Sequence, residues 1–269
     1  MLKAFFRYFL QSTVLCFGWV FCYPVLAQES SSENPQKGEE FGKMVAKEWT
    51  FGFNLNTSGG GMAFEWGKFK NITHKTGFEI AFDYNRHPKE VLGKNPGFFD
   101  ANLYAYGKLN TLFFLKFGFN YEKTIHQKPY WGGVRIRFRL ASGATAGIAV
   151  PTFLRVFVLP EGAQFPIYET LRYDPDVIPI TDIIGRASFF KGVPHTKLHP
   201  GIYLRLGLNF DFSNNPDRAH IIEVGGTLDG VFPGIKQMAF SNTKYIFYGL
   251  YVSYRIGNRL GVYEKSFRP

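Results

Sequence analysis

Between residues 134 and 140, Arg135, Arg137 and Arg139 alternate with Val134, Ile136, Phe138 and Leu140. Side chains two apart share a face of a strand, so three cations stand behind four large hydrophobes. Upstream, Phe113, Leu115, Phe117, Phe119 and Tyr121 oppose Lys116 and Asn120 in the same rhythm. Adjacent strands with one oily and one charged face fit a soluble sheet with a wet outer side. They fit equally the wall of a transmembrane β-barrel, with hydrophobes toward lipid and charges toward a polar lumen.

The N-terminus bears on that choice. Lys3 and Arg7 precede an apolar run over 9–25, and Val25-Leu26-Ala27 supplies a small-residue cleavage site before Gln28. Residues 1–27 therefore read as a cleaved secretory signal peptide, too short in its apolar part for a spanning helix. Cys16 and Cys22 both lie within it, and neither is preceded by the small residue a lipoprotein site requires. The exported chain would then carry no cysteine, which excludes disulfides and thiolate metal sites.

The full chain has 31 basic and 21 acidic residues, and loss of the signal leaves an excess of eight positive charges. In an exported protein such an excess points away from nucleic acid and toward acidic lipid headgroups, such as bacterial lipopolysaccharide. Aromatic residues make up 18% of the chain, with 30 phenylalanines, while mean hydropathy is slightly negative. Half of every strand of a membrane barrel faces water, and that combination follows.

The alternation predicts an all-β chain: a closed antiparallel transmembrane barrel of about ten strands after a cleaved signal peptide, with eight or twelve as the competing counts. The expected organisation is a signal over 1–27, a periplasmic lead-in over 28–47, the barrel over 48–257 with a long outer loop at 159–198, and a tail at 258–269. Ten strands require one at 98–108 and a turn at Ser142-Gly143-Ala144 separating strands at 134–140 and 145–158, with a bulge or bend at Pro151. Short links then fall at 109–110, 142–144 and 213–218, and long ones at 86–97, 122–130, 159–198 and 230–243. Short turns at one end and long loops at the other are the asymmetry of an outer-membrane barrel.

The expected lumen-facing charges are Glu65, Glu79, Asp83, Lys116, Arg135, Arg137, Arg139, Arg205, Asp211, Glu223 and Arg255. One reading is a salt-bridged plug, because buried charges need partners and the side chains of small barrels fill the interior. The other is an anion-selective pore lined by the arginines. The loop over 159–198 is too long to be a plain connector. It contains Tyr168, Tyr173, Asp174, Asp176, Phe189, Phe190 and Lys191, with a short helix expected over 181–189, and reads as a packed lid or as a docking surface.

Catalytic spacing is thin. His126, Ser188, His195, His199 and Asp174 are the candidates for a lipid-modifying enzyme, but none has an informative interval. His195 and His199 are four apart, yet Pro194 and Pro200 interrupt any helix that would join them, so no metal and no cofactor is expected.

Several segments together resemble a family of small outer-membrane β-barrels from Bacteroidota. They are Tyr106-Gly107-Lys108-Leu109-Asn110, Lys128-Pro129, Trp131-Gly132-Gly133-Val134, the run at 147–154, Phe190-Lys191-Gly192 and His199-Pro200-Gly201. The resemblance covers 49–257. Val150 stands where that family usually has a lysine before the proline, so no role for that lysine carries over. The resemblance implies an envelope location and a barrel fold, and it supplies no catalytic residue. The leading expectation is a non-enzymatic outer-membrane barrel with a filled lumen, an accessory subunit that has a protein partner in that membrane. The alternatives are a narrow anion-preferring pore, a lipid-modifying enzyme, and a soluble periplasmic barrel binding an apolar ligand.

Overall fold

A computed structural model describes residues 44–262, apart from 72, 100, 129–132, 159–166, 176 and 216. Its strands are β1 (Met44–Asn56), β2 (Gly59–Phe69), β3 (His74–Asn85), β4 (Leu92–Gly93), β5 (Tyr104–Ala105), β6 (Asn110–His126), β7 (Arg135–Pro151), β8 (Phe153–Val158), β9 (Ile167–Arg172), β10 (Ile183–Arg186), β11 (Lys197–Asp211), β12 (Arg218–Ile235) and β13 (Lys244–Val262).

Eight of these form a closed barrel in the order β1-β13-β12-β11-β7-β6-β3-β2. Every barrel strand pairs antiparallel with its neighbours in sequence, and β13 returns to β1 from Met44↔Val262 to Asn56↔Tyr251, so the wall has no free edge. The long wall strands β6, β7, β12 and β13 exceed what a tilted bilayer crossing needs, and their upper ends rise into the loop region. No helix among the described residues is long and apolar enough to cross a membrane.

The wall has eight strands, not ten, for two reasons. The expected turn at 142–144 lies inside β7, whose pairing with β6 runs through Phe119↔Ser142, Gly118↔Gly143 and Phe117↔Ala144. Small residues sit there because of crowding across the ladder. A β-carbon on Gly143 would lie 2.3 Å from the Phe117 carbonyl oxygen, and one on Gly118 would lie 2.6 Å from the Tyr203 hydroxyl. At the second excess strand, 98–108, the only strand among the described residues is β5, which pairs with β4 outside the barrel, and Lys108 makes a single bridge to Met238.

Removing two strands moves one link to the other end. The 127–134 link, expected among the long loops, joins β6 to β7 at the end that carries 70–73 and 212–217. The opposite end carries Thr57-Ser58, 86–109, 152–196 and 236–243. These are called here the turn end and the loop end. The wall also begins within the expected lead-in, at Met44, and continues to Val262 within the expected tail. The signal peptide over 1–27 lies outside the described residues.

At Pro151 β7 stops, and β8 departs into a separate three-stranded sheet in the order β10-β8-β9. The helix expected over 181–189 is replaced by a 3-10 turn at Ile180–Asp182, strand β10, and a second 3-10 turn at Phe189–Lys191. Gly185 in mid-segment packs directly on the Asn102 backbone, which fits a strand and not a helix.

Candidate functional site

Period-two alternation sorts the wall residues cleanly. Outward positions are large and apolar: Phe53 is 56% exposed, Phe119 64% and Leu250 68%. Inward positions are charged and buried, and the lumen they fill is the first candidate site.

Glu65, Glu79, Asp83, Lys116, Arg137, Arg139, Arg205, Asp211, Glu223 and Arg255 all lie buried inside. Arg135 is half-buried at the turn end. With them stand Glu48, Lys75, Glu122, Asp229 and Arg259, also buried and not among the expected set. Lys75, Glu122 and Arg259 continue the inward phase of their strands past the points where those strands were expected to stop, while Glu48 and Asp229 fall at the ends of expected strands. Glu48 is in step with Thr50 and Asn54, Lys75 with Glu79, Glu122 with Asn120, and Arg259 with Arg255.

Toward the turn end, Lys75 Nζ donates to Glu48 at 2.7 Å and to Glu65 at 2.5 Å. Arg137 pairs with Glu122 at 2.8 Å, and Arg259 Nε donates to Glu48 at 2.6 Å. At mid-height Arg139 bonds Glu79, reaches Glu65 at 3.1 Å and Glu223 at 2.7 Å. Arg255 joins Glu65 to Glu223, and the Tyr251 hydroxyl donates to Glu223. Higher up, Arg205 pairs with Glu79 at 2.6 Å and stacks 4.7 Å from the Tyr251 ring centre. Lys116 then bridges Asp83 at 3.0 Å and Asp229 at 2.9 Å.

Eight buried carboxylates thus meet seven buried cations, and half-buried Arg135 makes an eighth. The lumen is near neutrality and its arginines are engaged by carboxylates, so it offers little net field to a passing anion. Charges taken out of water cost several kcal/mol each, on the order of what close pairing returns. Above the ion pairs, Leu112, Phe114, Ala149, Val231, Ile235 and Phe247 form an apolar layer that closes the loop end. A recess of about 20 Å³ at the Thr57-Ser58 turn, bordered by Asp83, Lys116, Thr227 and Asp229, has room for about one water.

The second candidate is the cap made by the loops. Tyr104, Leu154, Val156, Tyr173, Ile178 and Ile183 form its own small core. Asn95, which sequence reasoning missed, ties the 86–109 loop to the cap sheet: its side-chain amide donates to the carbonyls of Ile180, Thr181 and Ile183 at 3.3, 3.1 and 2.8 Å. The only sequence signal there is Asn95-Pro96-Gly97, a turn motif. Buried Lys108 donates to Glu90 at 2.7 Å, and Ala239 N–H donates to the Gly107 carbonyl at 2.7 Å, knitting 86–109 to 236–243. Burial pushes the Lys108 ammonium down, with Glu90 opposing. Burial, then Lys244 and Lys89, push the His87 imidazole below its ordinary value, with Glu90 again opposing.

The expected docking residues do not form one surface. Tyr173 is 3% exposed and belongs to the cap core, whereas Tyr168 on β9 is 74% exposed. Asp174 accepts backbone bonds from Val177 and Ile178 through its carbonyl, and Asp176 lies outside the described residues. Phe189 packs edge-on against Phe113 of the outer wall, beside Phe190 at 79% exposure and exposed Lys191.

The catalytic candidates are dispersed too. His126 ends β6 at the turn end, while Ser188 and His195 lie in the 152–196 segment at the loop end. His199 Nδ1 is 2.8 Å from the Pro233 carbonyl. Among the described residues no group of three His, Cys, Asp or Glu is placed to hold a metal ion.

No protein-family model matches the chain, and no curated protein matches it in sequence. Among solved structures it is similar to Ail, the attachment invasion locus protein of Yersinia pestis, at 9% identity and a TM-score of 0.39, covering 81% of this chain and 99% of that one. A structure of Ail in complex with the heparin analogue sucrose octasulfate gives a TM-score of 0.38 at the same identity and coverage. Neisserial surface protein A gives 0.33 at 9% identity, over 81% of this chain and 97% of that one.

Proposed function

We propose that this chain is a non-enzymatic, non-conducting barrel of the bacterial outer membrane. Its wall anchors the loop-end cap as a docking platform, making it an accessory subunit of an outer-membrane assembly such as a secretion, barrel-insertion or nutrient-uptake machine. The observation that carries this reading is the lumen, packed with mutually paired charges under an apolar lid, inside a wall whose outward side chains are apolar. An outward apolar band of this extent is unsuited to water and suited to lipid. The motif resemblance to Bacteroidota barrels supports the same location, with outer-membrane lipid, including lipopolysaccharide, around the wall.

The anion-pore alternative fares worse because Arg137, Arg139, Arg205 and Arg255 each contact a carboxylate and front no open path. The enzyme alternative loses His126, which sits at the turn end while Asp174, Ser188, His195 and His199 sit at the loop end.

Two measurements test the proposal. Purified protein in planar bilayers is expected to give no conductance steps, and steps with anion selectivity would replace this reading with the pore. Mild-detergent isolation from its own membrane is expected to recover one outer-membrane protein in stoichiometric amount. Recovery of the barrel alone in several detergents would remove the accessory role.

A further inference from the structure

Charge is segregated across the wall. All eight carboxylates on the barrel strands, Glu48, Glu65, Glu79, Asp83, Glu122, Asp211, Glu223 and Asp229, are buried in the lumen. The outward face therefore carries basic groups unopposed, and four of them gather at the turn end of β1, β2, β3 and β6. Lys47 and Lys68 are exposed and directly opposite one another in the β1–β2 register. Lys70 is exposed in the following turn, where its N–H donates to the His74 carbonyl, and exposed Lys123 on β6 is paired opposite His74, two residues beyond the Lys68 row. None of the four pairs with a carboxylate among the described residues.

Like charges directly opposite on one face of a sheet repel, so the Lys47–Lys68 pair is unfavourable unless an anion lies between them. The row above it shows what surrounds that anion. Trp49↔Trp66 is the next outward pair on the same two strands, and Phe78 and Phe119 continue the row across β3 and β6. Beside Lys123, the Tyr121 hydroxyl meets His74 Nδ1 at 2.7 Å. Tryptophan and tyrosine settle at the headgroup level of a bilayer, and lysines just beyond them extend toward phosphates. The same wall elsewhere offers leucine and phenylalanine to acyl chains.

We infer that the turn-end rim over β1, β2, β3 and β6 is a binding site for anionic phospholipid headgroups, the phosphate lying between Lys47 and Lys68 with Lys70 and Lys123 flanking it. The inference rests on the membrane-embedded reading. It adds to that reading a lipid class and a position on the leaflet that contacts the turn end.

The two tryptophans of the site report on it. The chain has four tryptophans, and a W19F/W131F variant leaves Trp49 and Trp66 alone to fluoresce. That protein is reconstituted in vesicles containing either brominated phosphatidylglycerol or brominated phosphatidylcholine, and quenching gives the relative association constant of each lipid. Phosphatidylglycerol is expected to be favoured about fivefold or more in low salt. The preference is expected to vanish at 1 M salt and in K47Q/K68Q/K70Q/K123Q, whose folding is checked by retained quenching with brominated phosphatidylcholine. Equal quenching by the two lipids, or a preference that survives in the neutralised variant, overturns the headgroup site and leaves the membrane reading standing. Quenching by neither lipid overturns the membrane reading and the site with it.

Discussion

Arg139 donates to Glu223 across the lumen at 2.7 Å, and solvent reaches neither side chain. The same guanidinium serves Glu65 and Glu79, so one residue neutralises carboxylates from three strands. Arg139→Met is expected to leave those carboxylates buried without their cation and to destabilise the barrel by about 3–5 kcal/mol. The urea midpoint of the heat-sensitive gel shift, in micelles, measures it. A midpoint within error of the parent would mean that the network contributes nothing to holding the wall.

Gly143 tests the continuity of β7. A β-carbon there meets backbone, 2.3 Å from the Phe117 oxygen and 2.4 Å from the Gly118 α-carbon, and no side-chain rotation relieves that. Gly143→Ala is expected to cost about 1–3 kcal/mol through forced separation of β6 and β7. The same unfolding assay reads the result. Tolerance of alanine is what a turn at 142–144 would have produced, and would restore the longer strand count.

Asn95 holds the cap. Asn95→Ala removes the amide that bonds three carbonyls of the 180–183 segment, so the cap is expected to loosen by about 1–3 kcal/mol while the barrel keeps its stability. Limited proteolysis should cut the 152–196 segment sooner, with an unchanged gel shift. Loss of both together would show that cap and barrel unfold as one unit.

The cap is also expected to respond to acid through His87. Its imidazole lies below the ordinary value of 6.5 in the folded protein, because burial and nearby Lys244 and Lys89 disfavour the proton. The unfolded state therefore binds that proton more readily. The stability that the neutral ring contributes is present above pH 6.5 and is lost as pH falls below it. The hydrogen-exchange protection factors of Leu109 and Ala239, whose amides bond across the two loops, are expected to fall as pH drops from 7.5 to 5. His87→Gln should flatten that dependence. A parent profile without a step in that range would assign the proton no role.

Much of the wall was legible because alternation survives in a single strand without knowledge of its partner. Arg135, Arg137 and Arg139 announce two faces on their own. What could not be read is what depends on the opposite strand. Ser142-Gly143-Ala144 has turn composition, and only the positions of the Phe117 carbonyl and the Gly118 α-carbon reveal that its smallness accommodates neighbours. Lys75, Glu122 and Arg259 were hidden for a different reason. The strands were expected to stop short of them, although their inward phase continues without a break. Asn95 is the hardest case, since its three acceptors lie about 90 residues away and no local pattern marks them.

The pair that closes the ring joins the first wall strand to the last: Arg259 Nε donates to Glu48 Oε2 across 211 residues of chain. Only β13 completes the β1 ladder, and it adds Arg259 to the Lys75 and Arg137 that already face Glu48. Completion of the wall and the last contact to its first buried acid therefore come from the same strand. Without β13 the wall is an open ribbon with two unpaired margins, β1 and β12. Assembly is accordingly all-or-nothing in chain length as well as in temperature or denaturant.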